Sequence, residues 1–64
     1  MKKPMYYCFS GNDFVKFGIA NSCEDAITGV RHFLGWCLDD DDSISVEEKA
    51  SGYYVTIVKD YDYL

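Results

Sequence analysis

Few residues of this 64-residue chain could do chemistry: one histidine (His32), three cysteines (Cys8, Cys23 and Cys37) and the run Asp39-Asp40-Asp41-Asp42. A Cys-His nucleophile pair needs both side chains on one face. His32 and Cys37 are five residues apart, about 140° around a helix, and do not face each other. Cys23 falls at the start of an expected helix, where a thiol can be activated, but a packing role suits it better. Zinc needs convergent nitrogen and sulfur ligands. No C-x-x-C spacing occurs here, and His32 points away from the helix face that carries the cysteines. The three cysteines read as reduced, small, mostly buried side chains of a cytoplasmic protein. A calcium loop alternates its ligands around a glycine and ends on a glutamate at position twelve. Here the aspartates are consecutive, and Ala50 stands twelfth from Asp39. The five glycines are scattered and form no phosphate-binding loop. No catalytic residue, metal site or cofactor is expected.

The aspartate run is better read as a binding feature. It follows the C-terminal side of the expected helix, where negative charge is unfavourable, and its carboxylates repel one another. A loop chosen only for connection would use Gly, Asn, Ser or Lys. The formal charge of −5 is also uneven. Residues 1–38 hold three acids and four bases, net +1; residues 39–64 hold eight acids and two bases, net −6. That balance is the wrong sign for attracting phosphates, so direct nucleic-acid binding is not expected. A basic protein surface is the complementary partner, approached with electrostatic steering.

These residues must be positioned by a small number of elements. The chain is too short for two domains, so residues 1–64 are read as one. It is 48% apolar and 17% aromatic, too rich for an acidic disordered tail. No run is long and apolar enough to span a membrane, and the stretch after Met1-Lys2-Lys3-Pro4 lacks the apolar core of a signal peptide. Strands are expected over 5–9 and 14–19, joined by a turn at Ser10-Gly11-Asn12-Asp13. That hairpin would set Phe9 opposite Phe14, Cys8 opposite Val15 and Tyr6 opposite Phe17. Its core face would be Tyr6, Cys8, Val15, Phe17 and Ile19, leaving Tyr7, Phe9, Phe14 and Lys16 uncovered. Ser22 is an expected N-cap, with Asp25 completing an approximate capping box. Cys23, Ala26, Ile27, Val30, Phe33, Leu34 and Cys37 share about a 120° arc of the following helix. Gly29 permits close packing, and Gly35 marks where the helix ends.

Strands over 43–49 and 53–61 complete a ββαββ order. A Ser51-Gly52 turn would pair Val46 with Ile57, Glu47 with Thr56 and Glu48 with Val55. Ile44, Val46, Tyr53, Val55 and Ile57 would face the core. The expected architecture is α+β, one helix packed on a four-stranded mostly antiparallel sheet. Glu47 and Asp60 share the outer face, and Asp62 continues along it. Alternate strand residues lie about 6.8 Å apart, so such a row can imitate spaced phosphates. Tyrosines interleave with the acids and supply contact area at low entropic cost. The candidate partner-binding residues are Asp39, Asp40, Asp41, Asp42, Glu47, Glu48, Tyr54, Asp60, Asp62 and Tyr63.

In its size, its single-domain α+β order, the Asp39-Asp40-Asp41-Asp42 run and the tail Lys59-Asp60-Tyr61-Asp62-Tyr63-Leu64, the chain resembles small phage-encoded anti-CRISPR proteins of the acidic, DNA-mimic kind. This is a likeness of type over the whole chain, without a shared motif. It implies a non-enzymatic inhibitor in the bacterial cytoplasm that occupies the DNA-binding groove of a Cas effector, a type I Cascade surface first. The alternative is a small interaction or assembly module, a weak homodimer or antitoxin-like partner, using the aromatic residues that the lone helix leaves uncovered.

Overall fold

The computed structural model describes residues 2–9 and 13–59. The elements run β1 (Lys3–Phe9), β2 (Val15–Ala20), α1 (Cys23–Phe33), a single 3-10 turn (Gly35–Cys37), β3 (Ser43–Lys49) and β4 (Gly52–Val58). The sheet order is β2-β1-β4-β3. β1/β2 and β3/β4 are antiparallel, and the two central strands β1 and β4 are parallel. The fold is therefore α+β, with one helix on a four-stranded sheet that is antiparallel in two of its three pairings. β2 and β3 lie at opposite edges, so the chain crosses the whole sheet between them. α1 makes that crossing and covers one face.

Helix and core follow from local chemistry. The Ser22 hydroxyl accepts from the Asp25 N–H at 3.1 Å, as expected of an N-cap. The return bond of the box lands one residue early: the Asn21 N–H donates to Asp25 Oδ2 at 2.9 Å. Ala26 and Val30 are fully buried against Val55 and Ile57, and Tyr53, Ala20, Met5 and Leu34 close the core. Met5 lies between the two elements. A Cβ added at Gly29 of the helix would sit 3.0 Å from its Cε, and one at Gly18 of β2 only 2.9 Å. The missing side chains let α1 and β2 close over this methionine.

Both hairpin registers differ from expectation, with opposite consequences. In β3/β4 the pairs are Val46 with Val55, Glu47 with Tyr54 and Glu48 with Tyr53, around an Ala50-Ser51 turn. That is a displacement by two residues, so Ile44, Val46, Tyr53, Val55 and Ile57 still face the helix. In β1/β2 the pairs are Tyr7 with Val15 and Tyr6 with Lys16, then Met5 with Gly18. Phe17 is an extra residue, a β-bulge. Before it, Tyr7 with Val15 and Tyr6 with Lys16 are displaced by one from the expected pairs, while Met5 with Gly18 keeps the expected register, and the faces of β1 exchange. Met5 and Tyr7 turn toward the helix; Tyr6 and Cys8 turn away. The cause is long-range. In the parallel pair Met5 aligns with Tyr53, Tyr7 with Val55 and Phe9 with Ile57, and aligned residues point to the same side. The apolar alternation of β4 thus decides which face of β1 is core. Phe17 follows outward Lys16 onto the helix side by ordinary alternation, and the bulge repeats that side at Gly18, so that Ile19 turns outward and is 59% exposed.

Candidate acidic interface

The aspartates occupy a turn between the 3-10 turn and β3. The helix closes before them: Leu34 N–H donates to Val30 O at 2.8 Å, and Arg31 supplies positive charge in its last turn. The run is thus set back from the negative end of the helix dipole. Within it, Asp42 N–H donates to Asp39 O at 3.1 Å, and Asp39 N–H donates to Asp42 Oδ2 at 2.9 Å. Lys59, just past β4, donates to the same Asp42 oxygen at 2.8 Å and also to the Cys37 carbonyl. The Asp42 side chain is 2% exposed, the Asp39 side chain 76%. The four carboxylates therefore do different work. Asp42 is turned inward and clips the turn to Lys59. Asp39 lies 3.7 Å from Lys59 at the rim. Asp40 and Asp41 form the exposed tip. The expected row of four outward carboxylates is corrected to three, because a backbone turn this tight returns its fourth side chain onto the first amide.

The remaining candidates separate. Glu47 is exposed on the face away from the helix, beside Tyr54. Along β3 it is about 14 Å from Ser43, where the aspartate turn ends. Only Ser43 and Ser45 of β3 share its face over that distance, so among the described residues the acids form two groups and not one continuous row. Glu48 is on the helix side, where it accepts from Lys3 Nζ at 2.9 Å and from the Tyr53 hydroxyl at 3.5 Å. The Lys3 hydrogen bond and charge hold the Glu48 carboxyl below the ordinary carboxylate value. The same bond raises Lys3, and burial pushes the Tyr53 hydroxyl up. This is an internal clasp from β1 to β3, and it half-neutralises Glu48 as a docking charge. Asp60, Asp62 and Tyr63 lie outside the described residues.

Tyr54 is held rather than offered. Its ring stacks on Tyr6 with centroids 4.8 Å apart and planes 6° apart, and Phe14 meets it edge-on at 5.1 Å. Lys49 Nζ lies 5.0 Å from its centroid, and its hydroxyl bonds Ser51 Oγ at 2.7 Å. This aromatic pair on the two central strands was not anticipated, since it depends on their parallel register. The uncovered aromatic face is accordingly Tyr6, Phe14 and Tyr54. Tyr7 and Phe9, expected there, are on the helix side. Tyr7 joins Phe17 and Phe33 in a second aromatic cluster, with Phe33 half exposed. Trp36, in the 3-10 turn, is 88% exposed.

The chemistry-bearing residues do not converge. Cys8 is buried with its Sγ 3.9 Å from Thr56 Oγ1, Cys23 and Cys37 are half-buried, and His32 is exposed. Among the described residues no three His, Cys, Asp or Glu side chains are grouped to hold a metal ion. No helix among them is long and apolar enough to cross a membrane. Comparison with protein families, curated proteins and solved structures finds no match to this chain.

Proposed function

We propose that the protein is a non-enzymatic inhibitor of the acidic, DNA-mimic kind, resembling anti-CRISPR proteins. It acts in the cytoplasm of a bacterial host by occupying the basic DNA-binding groove of a Cas effector, a type I Cascade surface first. The observation that carries this reading is the aspartate turn. Asp42 and Lys59 anchor it internally, while Asp40 and Asp41 are exposed at its tip. A rigidly held tip loses little entropy on docking against Lys and Arg side chains, and the −6 balance of residues 39–64 steers the encounter.

Binding to purified Cascade is measured over a salt series, with and without target DNA. Affinity that falls steeply with salt and competition with DNA are expected. The Asp40→Asn/Asp41→Asn double variant is expected to bind about tenfold less tightly while remaining folded. Simultaneous binding of DNA and this protein, or affinity indifferent to salt, refutes the reading. A second reading, a small assembly module, is favoured by the uncovered Tyr6, Phe14 and Tyr54 face.

A further inference from the structure

α1 covers one face of the sheet, and buried Cys8 and Phe14, which meets Tyr54 edge-on, lie on the opposite one. There, one row crosses all four strands: Lys16 of β2, Tyr6 of β1, Tyr54 of β4 and Glu47 of β3. The two central rings are parallel at 4.8 Å, which is also the spacing between neighbouring strands. They therefore stand upright from the sheet with their faces against each other and present edges to solvent. A nucleobase stacks on a free ring face, so this face is not a base-stacking platform. It is nonetheless apolar: Phe14 meets the Tyr54 ring edge-on, Ile19, 59% exposed, lies opposite Pro4, two residues from Tyr6, and Val58, 45% exposed, lies four residues along β4 from Tyr54. Lys16 and Glu47 sit at opposite edges, both exposed. Three strand spacings, about 14 Å, separate them, too far for an ion pair within one chain.

We propose that this face receives a second copy of the same chain. The two sheets pack face to face about a twofold axis that runs parallel to the strands, above the Tyr6 and Tyr54 rings. That axis exchanges β2 with β3 and β1 with β4. It places Lys16 of each copy over Glu47 of the other and sets tyrosine edges against tyrosine edges. The contact is self-complementary, as an isologous dimer requires. Lys49, on the same edge as Glu47, caps the outer side of the Tyr54 ring and tempers the attraction for Lys16. A four-stranded face of this length offers about 300–400 Å² per copy, roughly half the area that a standard stable interface uses. The dimer is therefore reversible, with dissociation in the micromolar range or weaker. The aspartate turn lies beyond the strand end and outside this contact, so the dimer does not rest on the inhibitor reading.

The test is sedimentation of the isolated chain, with reductant present, from about 10 μM to about 1 mM, a range that brackets a weak interface. No target protein is present, so its outcome is independent of Cascade binding. A monomer–dimer equilibrium weakened by salt is expected. Lys16→Glu and Glu47→Lys are each expected to weaken it about tenfold, because each lost pair occurs twice and becomes repulsive. The Lys16→Glu/Glu47→Lys double variant is expected to recover to within about threefold of the parent. Circular dichroism confirms that each variant is folded. A chain monomeric throughout overturns the proposal, as does a dimer that the double reversal fails to restore. Concentration-dependent amide shifts at Tyr6 and Tyr54 support it; shifts confined to Phe33 and Trp36 place association on the other apolar patch and overturn it.

Discussion

Replacing Asp42 by alanine separates the structural part of the aspartate run from the part that faces solvent. Its carboxylate accepts from the Asp39 amide and the Lys59 ammonium at 2.9 and 2.8 Å, and its side chain is 2% exposed. Removing one member of a buried ion pair costs about 3–5 kcal/mol. Lys59 is less confined than that: its side chain is 20% exposed and it keeps the Cys37 carbonyl. The cost falls accordingly to about 2–3 kcal/mol. A core of this size supplies only about 3–5 kcal/mol, so the variant loses most of its stability. With a urea slope of about 1 kcal/mol/M, the unfolding midpoint followed by circular dichroism drops by about 2–3 M. Asp42→Asn keeps an oxygen for the Asp39 amide and loses the charge, so about half that drop is expected. Asp40→Asn and Asp41→Asn stay within about 0.5 kcal/mol of the parent. An Asp42→Ala variant as stable as the parent, or Asp40 and Asp41 variants as unstable as Asp42→Ala, would refute the division of roles.

Gly52→Ala is expected to prevent folding at room temperature: φ is +150° there, and a Cβ would lie 2.5 Å from the Pro4 carbonyl oxygen in the neighbouring central strand. Gly35→Ala, whose Cβ meets nothing within 4 Å, is the matched control and should change the midpoint little in the same melts. The Lys3, Glu48 and Tyr53 clasp contributes to both limbs of the stability–pH curve. Glu48 lies below its ordinary 4.5, so its stabilisation is complete above that value and is lost as pH falls through the lowered one. Lys3 and Tyr53 lie above their ordinary 10.5 and 10.0, so their contributions are complete below those values and are lost as pH rises through the raised ones. Glu48→Gln should flatten the acid limb of a stability–pH curve; an unchanged acid limb assigns it to other carboxylates. Finally, Cys8, 4% exposed, should resist a thiol reagent until the chain unfolds, whereas half-buried Cys23 and Cys37 react in the native state. Mass spectrometry of labelled peptides reads the order, and early labelling of Cys8 would contradict its burial.

The candidate interface was only partly legible in the residues. The aspartate run and its exposure could be read directly, because charge is solvated unless something neutralises it. That one of the four would be neutralised could not, since its partner Lys59 is seventeen residues away and arrives only after β3 and β4 have paired. Glu48 was lost to the same cause, captured by Lys3 forty-five residues earlier. Tyr54 was picked out as a contact residue by type. Its stack with Tyr6 depends on a parallel pairing that no local signal encodes.

By itself the sequence determined the ββαββ order, the Ser22 cap, the helix stripe and the core face of the last two strands. Each rests on contacts within a helix turn or on an alternation of period two, which survives a slip of two residues. Tertiary structure alone decided the face of β1. Its two sides, Met5 with Tyr7 and Tyr6 with Cys8, are nearly equal in apolar character, so its own hairpin could not choose between them. The choice fell to β4, whose alternation of Tyr53, Val55 and Ile57 against the helix is unambiguous and whose parallel alignment transmits it. The bulge at Phe17 then reconciles β2 with that decision. The side chains left on the open face, and with them the surface available to a partner, follow from that one long-range pairing.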